Sequence, residues 1–155
     1  GPDELGSAQA ASSEEIPIEE SRTTIPVSRE FDRIFGYQRP GGNTGSSIKL
    51  HEKLEQERRD PEWAAATEQA YRTFIHGSTD LHSRGVVPEI HCRATLCELR
   101  LIASGADKDT DWAKLLLSMP WPPGGSPVNF DWDYQGGVTA VIIHVMFKRQ
   151  IPSAN

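Results

Sequence analysis

The sequence predicts an α+β domain in the order αββαββ: a four-stranded antiparallel sheet with two helices on one face, a ferredoxin-like permutation. Three observations predict it. Two segments repeat apolar residues at helical spacing. Three others alternate apolar and polar residues with the two-residue period of a half-buried strand, and a fourth strand segment is apolar on both faces. Each helical segment is followed by two strand segments separated by turn residues. Of the 155 residues, 47–150 carry this pattern, behind a flexible acidic arm over 1–46 and ahead of a short tail over 151–155.

The arm comes first. Ser12-Ser13-Glu14-Glu15 and the run Gly41 to Ser47 offer too little apolar surface to offset the entropy of ordering them. Residues 1–46 hold eight acids and four bases, a net −4 of the chain's −6. Ile16-Pro17-Ile18 and Ile25-Pro26-Val27 read as extended. Phe31, Ile34 and Phe35 have helical spacing and, with Tyr37, belong either to a spacer or to a linear motif that docks on a partner or on the domain's own sheet. Gly1-Pro2 matches the remnant of a cleaved tag and leaves room upstream for a signal peptide or membrane anchor.

Within the domain, Ile48–Arg58 is helix-prone, as a separate turn or as an extension of the helix after it. Asp60-Pro61 starts that helix, Asp capping free N–H groups and Pro fitting the first position. Trp63, Ala66, Ala70 and Phe74 then form a stripe that ends at Gly77. Val86–Ile102 reads as a hairpin around Arg93-Ala94-Thr95-Leu96. Ile90, Cys92, Cys97, Leu99 and Leu101 face the core, and Glu89, His91, Glu98 and Arg100 face away. Asp109 or Thr110 caps a second helix bearing Trp112, Leu115, Leu116 and Met119, which Pro120 ends. Trp121 to Pro127, rich in Pro and Gly, reads as a loop. Val128, Phe130, Trp132 and Tyr134 alternate with Asn129, Asp131 and Asp133 in a third strand. Gln135-Gly136-Gly137 turns the chain into a fourth strand over Val138–Phe147, apolar on both faces.

Cys92 and Cys97 occupy inward positions on facing strands, within reach of a cross-strand disulfide. That pairing points to an oxidising compartment, most readily the periplasm. Two alternatives stay open: a pair of buried free thiols in a cytosolic protein, and a redox or metal role. The C-x4-C spacing on strands lacks the helix N-terminus that activates a C-x-x-C thiolate.

Asp60-Pro61-Glu62-Trp63 with Glu68, followed by Cys92-Arg93 and Cys97, resembles a pattern in small uncharacterised periplasmic or membrane-anchored domains of proteobacteria. The likeness covers roughly residues 50–103 and implies no activity. The element order alone is similar to the periplasmic domains of type IV pilus and type II secretion platform proteins, an analogy of architecture.

Other functional classes find little support. No Lys/Arg cluster would neutralise several phosphates, and no basic amphipathic helix suits a membrane surface. Histidines 51, 76, 82, 91 and 144 lack the convergent spacing of a metal site, so no metal or cofactor is expected. Asp131 and Asp133 lack a neighbouring nucleophile and read as a solvated face. No catalytic residues are expected. The leading expectation is a non-catalytic periplasmic protein–protein interaction or envelope-assembly module, dimeric or docked on a protein partner. Its surface would be the uncovered sheet face: Ala140, Ile142, His144 and Met146, with Trp121 on a rigid lip. The alternatives are a thiol–disulfide redox protein using Cys92 and Cys97, and a small-ligand or glycan-binding domain using Trp121, Trp132 and Tyr134.

Overall fold

The computed structural model describes Phe31, residues 44–104 and residues 109–150. The expectations of a flexible arm and a C-terminal tail otherwise fall outside these residues. The described chain forms helices α1 (Thr44–Gln56), α2 (Pro61–His76), α3 (Thr79–Ser83) and α4 (Trp112–Leu117). Strands β1 (Val86–Cys92), β2 (Leu96–Ala103), β3 (Gly125–Gln135) and β4 (Val138–Phe147) complete it. The strands build one antiparallel sheet in the order β1-β2-β4-β3. This is the α+β class that the alternation predicts.

The first face of the sheet carries the main core. Ile90, Cys97, Leu99, Leu101, Val141, Ile143 and Val145 pack against Ala64, Tyr71 and Ile75 of α2, Leu81 of α3, and Trp112 and Leu116 of α4. The expected stripe on α2 is displaced. Its buried positions are Ala64, Glu68, Tyr71 and Ile75, whereas Ala66 and Ala70 face solvent. Trp63 and Phe74 flank the core, partly buried. The cause is Glu68, a charged residue drawn inward by polar partners, which a purely apolar pattern overlooks.

Local chemistry sets the boundaries. Pro61 occupies the first turn of α2 with Asp60 at the N-cap. The Asp60 carboxylate does not cap, however. It accepts from Arg149 Nη2 at 2.8 Å instead. The cap of α4 is Asp111, whose side chain accepts from Lys114 N–H at 3.1 Å, not Asp109 or Thr110. β3 starts at Gly125, inside the segment expected to be loop. Pro127 is tolerated there because β3 is an edge strand, with a bulge between Pro127 and Asn129. That bulge leaves Val128 exposed. Gly136 and Gly137 both take positive φ, 61° and 82°, the backbone twist that a two-residue hairpin turn requires.

The second face is where expectation and structure part. It is covered. Leu50 and Leu54 of α1 pack on Leu96 and Met146, so the helix-prone segment after the arm is a separate helix on the opposite side from α2. Phe31 packs on Ala140, Ile142 and Ile102 and is fully buried. Ser47, expected in the unstructured run, is buried as well. The apolar second side of β4 therefore has an intramolecular cover that includes Phe31 of the arm; Ile34, Phe35 and Tyr37 of the expected motif lie outside the described residues.

Candidate functional site

Three places gather chemistry-bearing residues. The first is the β1–β2 turn. Cys92 and Cys97 are direct cross-strand partners, with sulfurs 2.04 Å apart, and both are buried. The connection is the three residues Arg93-Ala94-Thr95, one fewer than the spacing suggests. The linker between α1 and α2 grips this turn. Glu57 Oε1 accepts the N–H groups of Ala94 and Thr95 at 3.0 Å each and of Leu96 at 3.3 Å. The Thr95 hydroxyl donates to Glu57 Oε2. Glu68 accepts from Arg59 Nη1 at 2.6 Å and from Cys92 N–H at 2.8 Å. Arg149 donates to Ala94 O and Asp60, and lies 4.4 Å from the Trp63 ring centroid. Asp60, Trp63, Glu68, Cys92, Arg93 and Cys97 thus meet at one end of the sheet, where they fasten α2 to the hairpin.

The second place is a polar layer under α1. Glu98 and His144 face each other across β2 and β4; they and Arg100 are fully buried. His144 Nε2 donates to Glu98 Oε1 at 2.8 Å. Asn129 Nδ2 lies 3.0 Å from His144 Nδ1 and 3.0 Å from Ser47 Oγ. The amide's two hydrogens go to those acceptors, which leaves the imidazole proton on Nε2. His51 Nδ1 donates to Glu98 Oε1 at 2.8 Å, and its Nε2 lies 3.2 Å from Glu55. Arg100 donates through Nε to Glu98 Oε2 at 2.7 Å.

Electrostatics in this layer are set by its geometry. Burial would raise the Glu98 pKa, but hydrogen bonds from His144 and His51 and the Arg100 charge outweigh it. They hold Glu98 well below the usual carboxylate range. Burial works against protonated His51 too, yet its hydrogen bond to Glu98 and the charges of Glu98 and Glu55 raise its pKa above the ordinary value.

This layer does not assemble a nucleophile. Ser47 Oγ accepts from Asn129 rather than donating to His144, and Ser47, on α1, is buried against the sheet with His144 and Glu98. Its evident work is to hold α1 to the sheet. Asp131, expected on a solvated face, is buried, and its Oδ1 accepts from Trp132 N–H at 2.8 Å. Among the described residues no group of three or more His, Cys, Asp or Glu is arranged to hold a metal ion.

The third place is open to solvent. Two cavities adjoin across Pro122 and Pro123. One, about 350 Å³, lies between α2 and the end of β4, with Trp63, Ala66, Ala70, Phe147 and Lys148 in its walls. The other, about 320 Å³, runs under the Trp121 loop to Leu99, Ile143 and Val145 of the sheet, and its lining contains no charged residue. Tyr71 borders both. Burial pushes its phenol up to about 12, so it stays neutral. Trp121 is held by a 2.6 Å bond from Nε1 to Leu116 O and by its packing on Phe74, ring centroids 4.7 Å apart. Gly125 is required at the base: a Cβ there would collide with Val145 and sit 2.7 Å from Phe147 Cζ.

Comparison with protein-family models, curated proteins and solved structures finds no match.

The expected site residues therefore separate. Ala140, Ile142 and His144 are buried under α1 and Phe31, and Met146 is partly buried beside Leu54. They do not form an open face, because α1 and Phe31 occupy it. Trp121 lines one of the two cavities, while Trp132 and Tyr134 line neither. The His51–Glu98–His144 association escaped sequence reasoning. The one available signal was His144 itself, a polar residue at an inward position between Ile142 and Met146.

Proposed function

We propose that the domain is a non-catalytic recognition module of the bacterial cell envelope, working in the oxidising periplasm, which takes an apolar group of a partner into the cleft beneath Trp121–Gly125. The observation that carries this reading is an accessible cavity of about 320 Å³ lined without charge, in the size range of binding sites, roughly 300–1,000 Å³. Leu117, about half exposed, stands in its wall. The charged and titratable clusters, by contrast, are consumed in holding the fold. The paired cysteines support an oxidising compartment.

Self-association through Ala140, Ile142, His144 and Met146 would first require α1 and Phe31 to leave, so the docking surface proposed here is the cleft. A redox role would need a reductant to reach two buried sulfurs.

Nile red, a neutral dye that brightens in apolar surroundings, tests the reading. The folded protein is expected to bind it saturably, and Leu117→Arg, at a half-exposed wall position, to abolish that binding without changing the circular dichroism spectrum. A folded protein that leaves the dye dark, or equal brightening with Leu117→Arg, would overturn it.

A further inference from the structure

Resting on that recognition reading, we infer that the cleft takes a hydrocarbon chain ending in a carboxylate, a medium-chain fatty acid anion, with the chain beneath Trp121 and the carboxylate at Lys148.

Two properties of the cleft select this class. The cavity under Trp121 reaches Leu99, Ile143 and Val145, and none of its lining side chains carries a charge. A peptide occupant would need hydrogen-bond partners for each of its backbone N–H and C=O groups. A hydrocarbon chain brings none. The volume, about 320 Å³, is twice that of an engineered dry cavity of about 150 Å³ that binds benzene, so there is room for more than one small ring.

The charge is supplied next door. The adjoining cavity shares Tyr71, Pro122 and Pro123 with the first and adds Lys148 and Arg149. Arg149 is committed to Asp60, Ala94 O and Trp63. Lys148 is exposed and has no ion pair among the described residues. A ligand lying across the Pro122–Pro123 lip would place an apolar chain on one side and an anionic end against Lys148 on the other. The neutral phenol of Tyr71 at the junction adds no repulsion for that anion.

The experiment uses the full chain, isotopically labelled, with three probes followed by amide chemical shifts: sodium octanoate, 1-octanol, and an acetylated, amidated apolar hexapeptide. Octanoate is expected to shift the amides of Leu99, Gly125, Ile143 and Val145 saturably, and to bind about fivefold more tightly than octanol, the contribution of one partly screened ion pair. Lys148→Glu, at an exposed position, should remove that advantage and leave octanol binding unchanged. Leu117→Arg should abolish both. If octanol binds as well as octanoate, or Lys148→Glu leaves the ratio intact, the anionic end is wrong and the inference falls. If the peptide alone binds at these amides, the recognition role stands and the fatty-acid inference is overturned. If none of the three binds, both are overturned.

Discussion

Glu98→Gln is the substitution that most directly probes the polar layer under α1. It keeps the shape of the side chain and removes its charge. In the native protein Glu98 receives His144 Nε2 and His51 Nδ1 at 2.8 Å each and Arg100 Nε at 2.7 Å, all without solvent contact at the carboxylate. The glutamine amide would turn an NH2 group toward one of these donors. It would also remove the carboxylate charge beside the buried Arg100 guanidinium, with the next carboxylate, Glu89, at 3.7 Å. Breaking a buried ion pair by removing one partner costs about 3–5 kcal/mol. With a urea dependence of about 1–3 kcal/mol per molar for a small domain, the unfolding midpoint should fall by at least about 1 M. The linkage has a definite sign. Glu98 has a lowered folded pKa, so its contribution is present above its unfolded value of about 4.3 and is lost as pH falls toward the lower folded value. His51 has a raised folded pKa, so its contribution is complete below about 6.5 and is lost as pH rises through the folded value. The layer is strongest between those two limits. Urea unfolding at pH 5.5, and again at lower and higher pH, reads both arms, and Glu98→Gln should flatten them. A loss under about 1 kcal/mol at pH 5.5 would refute the view that this charge holds the layer together.

Other outcomes can be checked by the same denaturation assay. Glu57→Gln weakens an acceptor that serves three backbone N–H groups and a hydroxyl, so a loss of roughly 1.5–3 kcal/mol is expected for charge-assisted bonds. Gly125→Ala puts a Cβ into Val145 and Phe147 and should cost about 1–3 kcal/mol through overpacking, with the chemical-shift changes centred on those two residues. Phe31→Ala removes a fully buried ring from Ala140 and Ile142 and should cost about 3 kcal/mol. Faster amide exchange along the middle of β4 would report that uncovering.

Much of the architecture was legible because strand alternation is a geometric rule. Cys92 and Cys97 fall opposite each other because a short turn fixes the hairpin register, and the two faces of β4 sort as the two-residue period requires. What alternation cannot tell is whether a polar face meets water or another polar layer. Asp131 read as solvated for that reason, and Glu98 and Arg100 only as facing away from the core. The partner that changes the answer, His51, lies 47 residues from Glu98 along the chain, and nothing local ties them. The same blindness displaced the α2 stripe: Glu68 is inward because Arg59 and the Cys92 N–H await it. The cleft was legible only as a Trp-Pro-Pro sequence. Its depth depends on the bare Cα of Gly125, while the adjoining cavity is walled by the outward-facing Ala66 and Ala70.

The fastening of the β1–β2 turn has a mechanical consequence. The linker from α1 to α2 passes from one side of the sheet to the other, and it does so beside the cystine, where Glu57, Arg59 and Arg149 all seize backbone atoms of 92–96. At the far end of the strands, around Val86, Ala103, Thr139 and the paired glycines at 136–137, the bonds outside the sheet are longer, Ser104 N–H to Gly85 O at 3.5 Å and Arg84 Nη1 to the Thr110 hydroxyl at 3.4 Å. The sheet should therefore behave as a fan pinned at one corner. Deuterium uptake should be slowest near Cys97 and Val145 and quicken along β2 and β4 toward Ala103 and Thr139, and opening motions should spread from the glycine turn inward.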